Sequence, residues 1–222
     1  MISVANPMVE PQAATGSETR SRTLIVAVTG ASGSIFAMEL LRTLEDDPRI
    51  DRVELVVSPS ALRVLAEESG VAGRSGLLDR LLFPGNRSGQ IHLLEHQDIG
   101  ASIASGSYPT AGMIVLPCSM GTLAGIAHGM AGNLIERAAD VCLKERRRLV
   151  LCVRETPLNL IHLRNMAAVT EAGATVFPVT PTFYNHPQTV EDIARNYVHR
   201  VLFHIGFPQA DAFVWGHEPD SE

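Results

Sequence analysis

The sequence predicts a single α/β domain with a mostly parallel sheet, doubly wound like Rossmann and flavodoxin domains. Short apolar runs without polar alternation recur along the chain, as expected of strands that are buried on both faces. Each run is followed by a segment with the apolar spacing of a helix, which is the order of βα units. The chain has 222 residues, 45% of them apolar, which is enough for one large core.

The predicted elements alternate in order along the chain. The strands are predicted at LIVAV (24–28), VELVVS (53–58), IHLLE (91–95), MIVLP (113–117), LVLCV (149–153) and TVFPV (175–179). The helices are predicted at 33–45, 60–68, from 119 onward, 133–145, 160–173 and 190–206. The Gly- and Arg-rich segment 71–89 is predicted to be irregular, with one short helix at LLDRLL (77–82).

Three divisions of the chain are predicted. Residues 1–22 are rich in Ser, Thr, Pro and Ala and lack the apolar stretch of a signal peptide, so we expect a disordered tail. The folded domain is predicted at 23–207 and a C-terminal tail at 208–222. No apolar run is long enough to cross a bilayer, and the three cysteines form no CxxC pair, so we expect a cytoplasmic protein. The net charge of −6 argues against nucleic-acid binding.

The turn TGASGS (29–34) after the first strand predicts a nucleotide site, because ligands of parallel sheets bind at the carboxyl ends of the strands. The dinucleotide spacing GxGxxG is broken, since Ser32 and Ile35 stand where glycines are needed. The short-chain dehydrogenase pattern fails as well, because Lys144, the only lysine, has no Tyr four residues before it. Small hydroxyl residues follow several strands, which favours a mononucleotide. Ser32 as a plain helix N-cap remains the alternative.

The sequence becomes specific further along the chain. It contains SGS (105–107), PCSMGT (117–122), LIERAADVCLKERRRLVLCVRETP (134–157) and FYNHPQTVEDI (183–193). With TGASG near the start, these motifs resemble the UbiX/Pad1 family of flavin prenyltransferases from about residue 24 to residue 216. One departure is Ile99, where family members often carry an aromatic residue after the Asp that matches Asp98.

The resemblance implies a metal-independent reaction in which the dimethylallyl group of dimethylallyl monophosphate is joined to N5 and C6 of reduced FMN. It also implies that a UbiD-type decarboxylase receives the prenylated FMN, and that the protein forms a homo-oligomer, typically a dodecamer. Whether the monophosphate or the diphosphate is the donor stays open. The alternatives are a non-catalytic FMN carrier and a flavin-dependent cysteine decarboxylase, although the latter lack the RE and FY motifs found here.

The resemblance also implies roles for individual residues. Ser32, Glu68 and Glu155 are expected to be catalytic, as proton relay, supporting carboxylate and proton acceptor or donor. FMN is expected to be bound by Gly30, Ala31, Ser32, Ser58, Ser119, Met120, Thr122 and Arg154. The substrate phosphate is expected to be bound by Arg137, Lys144, Arg154, Tyr184 and Arg200, some of them from neighbouring subunits.

More ordinary roles remain open for several of these residues. Ser58 suits a helix N-cap, and Glu155 suits an ion pair with Arg164 or Arg137. The run KERRR (144–148) suits a solvated helix C-terminus. A metal site at His92 and His96 is not expected, because a strand-like segment does not bring residues with this spacing together.

Overall fold

A computed structural model describes residues 21–70 and 89–214, and it contains a six-stranded sheet in the order β3-β2-β1-β4-β5-β6. Every strand pair is parallel. The strands are β1 (Thr23–Val28), β2 (Arg52–Val57), β3 (Ile91–Leu94), β4 (Gly112–Cys118), β5 (Arg148–Val153) and β6 (Thr175–Val176). The predicted doubly wound, parallel α/β fold is confirmed.

Six α-helices and one short 3₁₀ helix connect the strands in the described ranges. The α-helices are α1 (Ser34–Asp46), α2 (Pro59–Ser69), α3 (Met120–Ala127), α4 (Leu134–Lys144), α5 (Leu160–Glu171) and α6 (Val190–Ile205). The 3₁₀ helix, Ser102–Ala104, lies between β3 and β4. None of these helices is both long and apolar enough to cross a membrane.

The helices cover the two faces of the sheet, and each face has its own apolar core. Helices α1, α2 and α6 pack on one face, where residues such as Leu41, Leu65 and Val201 meet Val26 of β1. Helices α3, α4 and α5 pack on the other face, where Leu123, Ala138 and Val169 belong to the second core. The alternating side chains of each buried strand supply both cores, which explains the apolar runs without polar alternation.

One predicted strand is shorter than expected. TVFPV was predicted as a strand over 175–179, but β6 comprises only Thr175–Val176. Pro178 removes no hydrogen bond to β5, because β6 is an edge strand and the residues that face β5 are Phe177 and Val179. The backbone N–H groups of Phe177 and Val179 still donate to the carbonyl groups of Leu151 and Val153, each at 2.9 Å, so this segment follows β5 beyond the regular strand.

Some predictions concern residues outside the described ranges. The helix at 77–82 and nearly all of the tail at 1–22 lie there, as does the end of the tail at 208–222. The described part of the latter, 208–214, packs back on the domain: the Gln209 side-chain amide donates to the carboxylate of Asp47 at 3.1 Å. The three divisions of the chain stay predictions.

Candidate active site

The ends of β1 and β4 meet at the centre of the sheet, where the strand order reverses. Connections from β1 run toward β2 and β3, and connections from β4 run toward β5 and β6. This switch point leaves a crevice at the carboxyl ends of the strands, which is the usual ligand site of such folds. Thr29 lies there, 1% exposed, and its hydroxyl donates to the Pro117 carbonyl at 2.7 Å and accepts the Ser119 N–H at 2.8 Å.

The start of α1 is bound by a carboxylate from the neighbouring helix. The Glu68 side chain, on α2, accepts the backbone N–H of Gly33 at 2.9 Å and that of Ser34 at 2.8 Å, as well as the Ser34 hydroxyl. The Ser32 hydroxyl lies near enough to this carboxylate to help lower its pKa. Ser32 is therefore not the N-cap of α1, since that position is Gly33. The Glu68 carboxylate, distant in the sequence, binds the first N–H groups of α1 in place of a local capping hydroxyl.

These hydrogen bonds set the charge of Glu68. Burial raises the pKa of its carboxyl group, but hydrogen bonds from the hydroxyl groups of Ser32 and Ser34 and from the amides of Ser34 and Gly33 outweigh burial. The pKa of Glu68 is thus held below its usual value, and the group is ionised at neutral pH. An ionised carboxylate at this position is suited to orienting the Ser32 hydroxyl, so that the hydroxyl can pass a proton at the switch point.

Gly30 permits a close approach between the first turn and the start of α2. A Cβ atom at Gly30 would lie 2.5 Å from both Cβ and Oγ of Ser60, so a larger residue would push the two segments apart. The Ser58 hydroxyl accepts the Ala61 N–H at 3.1 Å as N-cap of α2 and lies 3.0 Å from the Ser60 hydroxyl. Ser58 is therefore an N-cap in the free chain, a role compatible with ligand binding.

The other predicted FMN residues lie along the same edge. Ser119 is the N-cap of α3, and its hydroxyl lies 3.1 Å from that of Thr122. Met120 is the first residue of α3 and is 8% exposed. Arg154 follows β5, donates its N–H to the Cys118 carbonyl at 3.2 Å, and is exposed.

Glu155 is exposed beside Arg154, and one of its carboxylate oxygens accepts the Thr156 N–H at 3.0 Å. Among the described residues it forms no ion pair with Arg164 or Arg137, so that alternative is wrong. The geometric reason is that Arg137 is paired elsewhere, with Asp140 one turn further along α4.

A second group of predicted residues surrounds the loop 104–108. Arg137 donates from Nε to the Ala104 carbonyl at 3.1 Å. Lys144 ends α4 and pairs with Glu145, and both side chains lie against Gly106, where a Cβ atom would be 2.7 Å from Lys144 Nζ. The serine hydroxyl groups of the SGS motif, Ser105 and Ser107, lie 2.8 Å apart in this loop. Two cations and two hydroxyl groups thus share one surface.

Sequence reasoning missed the support beneath this loop. The Tyr108 hydroxyl donates to Glu54 Oε1 at 2.7 Å, and Arg52 Nε donates to the same oxygen at 2.7 Å. Glu54 is fully buried in β2, and its other oxygen, Oε2, has no hydrogen-bond partner among the described residues. The available signal was a carboxylate inside an otherwise apolar strand, VELVV. Arg147 adds a third support by donating to the Tyr108 carbonyl at 2.8 Å.

A third group lies in a cavity of about 440 Å³ on the outer side of α6. Tyr184 and Arg200 both line it, together with Thr182, Asn185, Asn196, His199, Phe203, Ala212, Phe213 and Val214. The structure therefore brings together Tyr184 and Arg200, which are 16 positions apart in the sequence.

One chain does not bring all five predicted phosphate-binding residues together. Arg137 and Lys144 lie on α4, whereas Arg200 lies on α6, and these helices pack on opposite faces of the sheet. Lys144 also precedes the start of β5, whereas Arg154 follows its end. The six residues of β5 separate the two by roughly 20 Å.

Two other kinds of site find no support in residues 21–70 and 89–214. No cluster of three or more His, Cys, Asp or Glu side chains is arranged there to hold a metal ion. Cys118, Cys142 and Cys152 are free and buried. Burial raises the pKa of Cys152 and of Cys142 to about 12, so these thiols are not nucleophiles near neutral pH.

The comparisons with known proteins agree with this geometry. The model of the Flavoprotein family matches residues 12–201. The chain is 48% identical over 197 residues to the flavin prenyltransferase UbiX of Salmonella typhimurium, covering 86% of this chain and 96% of that protein.

Solved structures extend the likeness to three dimensions. A dodecameric FMN-dependent UbiX-like decarboxylase from Escherichia coli O157:H7 superposes with a TM-score of 0.76 at 42% identity, over 88% of this chain and all of that one. AnUbiX (PadA1), in complex with FMN and dimethylallyl pyrophosphate, superposes with a TM-score of 0.76 at 38% identity, over 90% of this chain and all of that one. This chain belongs to the UbiX family of flavin prenyltransferases.

Proposed function

We propose that this protein transfers the dimethylallyl group of dimethylallyl monophosphate to N5 and C6 of reduced FMN, and that a UbiD-type decarboxylase receives the product. The observation that carries the proposal is the Glu68 carboxylate at the switch point of the sheet, where it accepts the backbone N–H groups of Gly33 and Ser34 directly after Ser32. A flavoprotein that only carried FMN would have no need of a proton relay at this position.

The residues at the switch point fit FMN. The α2 and α3 helices begin there with the hydroxyl groups of Ser58 and Ser119, and helix starts of this kind suit phosphate and polar ring edges. Gly30 keeps the first turn close to α2, and the exposed Arg154 is suited to the polar edge of a flavin. Ala31, Met120 and Thr122 complete the binding set.

Reduced FMN, when bound, would supply two nucleophilic atoms. N5 would take C1 of the dimethylallyl group as the C–O bond to phosphate breaks, and C6 would take C3 as a proton adds to C2 of the double bond and C6 loses its own proton. Ser32 passes a proton between N5 and the surroundings, while the ionised Glu68 fixes its hydroxyl group. Glu155 accepts the proton that C6 loses, or returns one to the departing phosphate. Its exposed carboxylate beside the strand end is free of an ion pair within the described residues, as such a role requires.

Phosphate departure needs cations, and apart from Arg154 the chain places the predicted ones outside its own switch point. Arg137 and Lys144 lie on one face of the sheet, and Tyr184 and Arg200 lie on the other. We infer that a complete site combines the switch point of one subunit with phosphate-binding residues of its neighbours in a homo-oligomer. These cations stabilise the departing dianion, which is why the proposed reaction needs no metal.

The test is anaerobic. FMN reduced by dithionite is mixed with the protein and dimethylallyl monophosphate in the presence of a chelator, and the mass of the flavin is read afterwards. A gain of one five-carbon prenyl unit is expected, and the diphosphate is tried in parallel because a related structure holds dimethylallyl pyrophosphate. Unchanged FMN with both donors would overturn the proposal and leave a flavin carrier.

A further inference from the structure

The cavity beside α6 has one polar side and one apolar side. Asn196, His199, Arg200 and Phe203 form one face of α6, at helical spacing. The polar side is completed by Tyr184 and Asn185, and the apolar side by Phe203, Phe213 and Val214. Such a cavity suits a small ligand with an anionic head and a short apolar tail.

His199 stands out in this cavity because it is a buried titratable side chain. It is 6% exposed, and its Nδ1 has no hydrogen-bond partner within the described residues. Nδ1 lies 3.9 Å from Asp211 Oδ1, which is too long for a hydrogen bond but within reach of an ion pair. No hydrogen bond of Nε2 is found in the described part of the chain, and the His199 side chain is among those that line the cavity.

A second polar atom in the same cavity is also unsatisfied. The Asn185 side-chain oxygen is buried without a partner among the described residues. An amide oxygen only accepts hydrogen bonds, so this atom does not itself bind an anion. The groups that the cavity offers to an anion are the donors of Arg200, Tyr184 and His199. His199 can donate to an anion only from a protonated or suitably tautomeric ring.

We propose that His199 is a phosphate-binding residue that takes up a proton when a phosphate monoester enters the cavity. The Asp211 carboxylate, 3.9 Å from Nδ1, compensates the new charge. The proposal rests on the proposed function, because dimethylallyl monophosphate is the phosphate monoester in question. His199 is thus a third phosphate-binding residue besides Tyr184 and Arg200, and it carries a charge only when the ligand is bound.

The groups around His199 explain why the proton arrives with the ligand. Burial lowers the pKa of His199; Asp211 and Glu39 of α1 raise it, and Arg195 of α6 lowers it again. The net pKa lies below the ordinary value, so the ring is neutral in the empty site at pH 7.5. A phosphate carrying close to two negative charges at this pH raises the pKa of a neighbouring imidazole.

The test is calorimetric. Full-length protein loaded with oxidised FMN, which cannot react, is titrated with dimethylallyl monophosphate at pH 7.5 in two buffers of different ionisation enthalpy. The difference in heat gives the number of protons taken up, and we expect a fraction of a proton, up to about one, per site. Inorganic phosphate should give the same uptake with weaker binding, whereas dimethylallyl alcohol should give none.

Three variants distinguish the role of His199 from the roles of the other residues of the cavity. His199→Gln should abolish the uptake and weaken binding by about 10- to 100-fold, the effect of losing one charged hydrogen bond. Asp211→Asn, at a side chain that is 74% exposed and so spares the fold, should reduce the uptake. His204→Gln is the control: this histidine lies on the same helix, outside the cavity, 2.9 Å from the Thr175 hydroxyl, and should leave the uptake unchanged.

Buffer-independent heat in the wild type, an unchanged uptake in His199→Gln, or no binding of dimethylallyl monophosphate would overturn the proposal. The flavin mass assay on the wild type is read separately. Proton uptake without prenylation would reject the proposed function and keep the phosphate site. Prenylation without proton uptake would reject only the role of His199.

Discussion

The Thr29 hydroxyl accepts the backbone N–H of Ser119 at 2.8 Å and so joins the ends of the two central strands. The same hydroxyl donates to the Pro117 carbonyl at 2.7 Å. One buried side chain therefore sets the spacing of β1 and β4 at the switch point, where we place FMN. We therefore expect the geometry of the proposed FMN site to depend on Thr29, which hydrogen-bonds to the backbone of both Pro117 and Ser119.

Thr29→Val should lower both stability and FMN affinity. The substitution keeps the shape but leaves the Ser119 N–H without its partner, which costs about 1 to 3 kcal/mol of unfolding free energy. Urea unfolding and flavin titration measure the two effects. Thr29→Ser retains the hydroxyl and is the control. Equal stability of Val and Ser variants would contradict this account of the switch point.

Glu68→Gln should slow turnover by at least tenfold, because a neutral amide is a poor proton acceptor partner for Ser32. The carboxylate also contributes to stability, since its pKa in the fold is depressed. That contribution is present above the pKa of the unfolded chain and is lost as the pH falls through the lower pKa of the folded state. Glu67→Gln, at the exposed neighbour, is the matched control and should change neither the turnover rate nor the acid stability.

Asp47→Asn should remove a contribution to the free energy of unfolding that is present at neutral pH and lost in acid. Asp47 is 4% exposed, and the side-chain hydrogen bonds from Arg49 lower its pKa from 3.8 to about 2. The resulting stabilisation, about 2 kcal/mol, is complete above about pH 5 and is lost as the pH falls through about 2. Denaturant midpoints at pH 7 and pH 3 measure it. Asp46→Asn, at the exposed preceding residue, should have no effect, and a similar loss in both variants would exclude this role for the Asp47–Arg49 pair.

Mixed oligomers should reveal the sharing of sites between subunits. Lys144→Ala and Glu155→Gln are each expected to be nearly inactive. If they are unfolded and reassembled together in equal amounts, about a quarter of the sites should receive both wild-type residues, from different subunits.

The control mixture combines Lys144→Ala with Arg137→Ala, two changes on the same helix that serve the same site. It should recover nothing. Recovery in neither mixture would mean that each subunit contains a complete site of its own.

Tyr108→Phe should raise the KM for dimethylallyl monophosphate about five- to tenfold with little change in kcat. The ring stays, but the loop 104–108 loses its hydrogen bond to the buried Glu54, and Ser105 and Lys144 are held less firmly. Tyr197→Phe is a matched control, because its hydroxyl supports the Phe177 carbonyl on the other face of the sheet. An equal rise in KM in both variants would show that the effect of Tyr108→Phe comes from a general loss of stability and not from the loop 104–108.

The apolar runs and helical spacings were sufficient to predict the parallel sheet, its order of elements and the turns that carry Ser32, Ser58 and Ser119. These features are local in the sequence: strand burial, helix periodicity and capping residues are encoded within ten to fifteen positions. The motifs from 105 to 193 were sufficient to indicate the family. The regular strand β6 is shorter than predicted, although the segment after it still follows β5 through the N–H groups of Phe177 and Val179.

The tertiary structure alone decided which distant groups meet. Glu68, rather than a local hydroxyl, caps α1; Tyr108 reaches Glu54 across 54 positions, and His199 comes to lie against Asp211. The tertiary structure also decided that Lys144 and Arg200 lie on opposite faces of one sheet. No spacing in the sequence encodes such contacts, because they depend on how each crossover places its helix. The sequence thus indicated the family and its kind of chemistry, and the packing of the helices decided which of the predicted residues lie together in one chain.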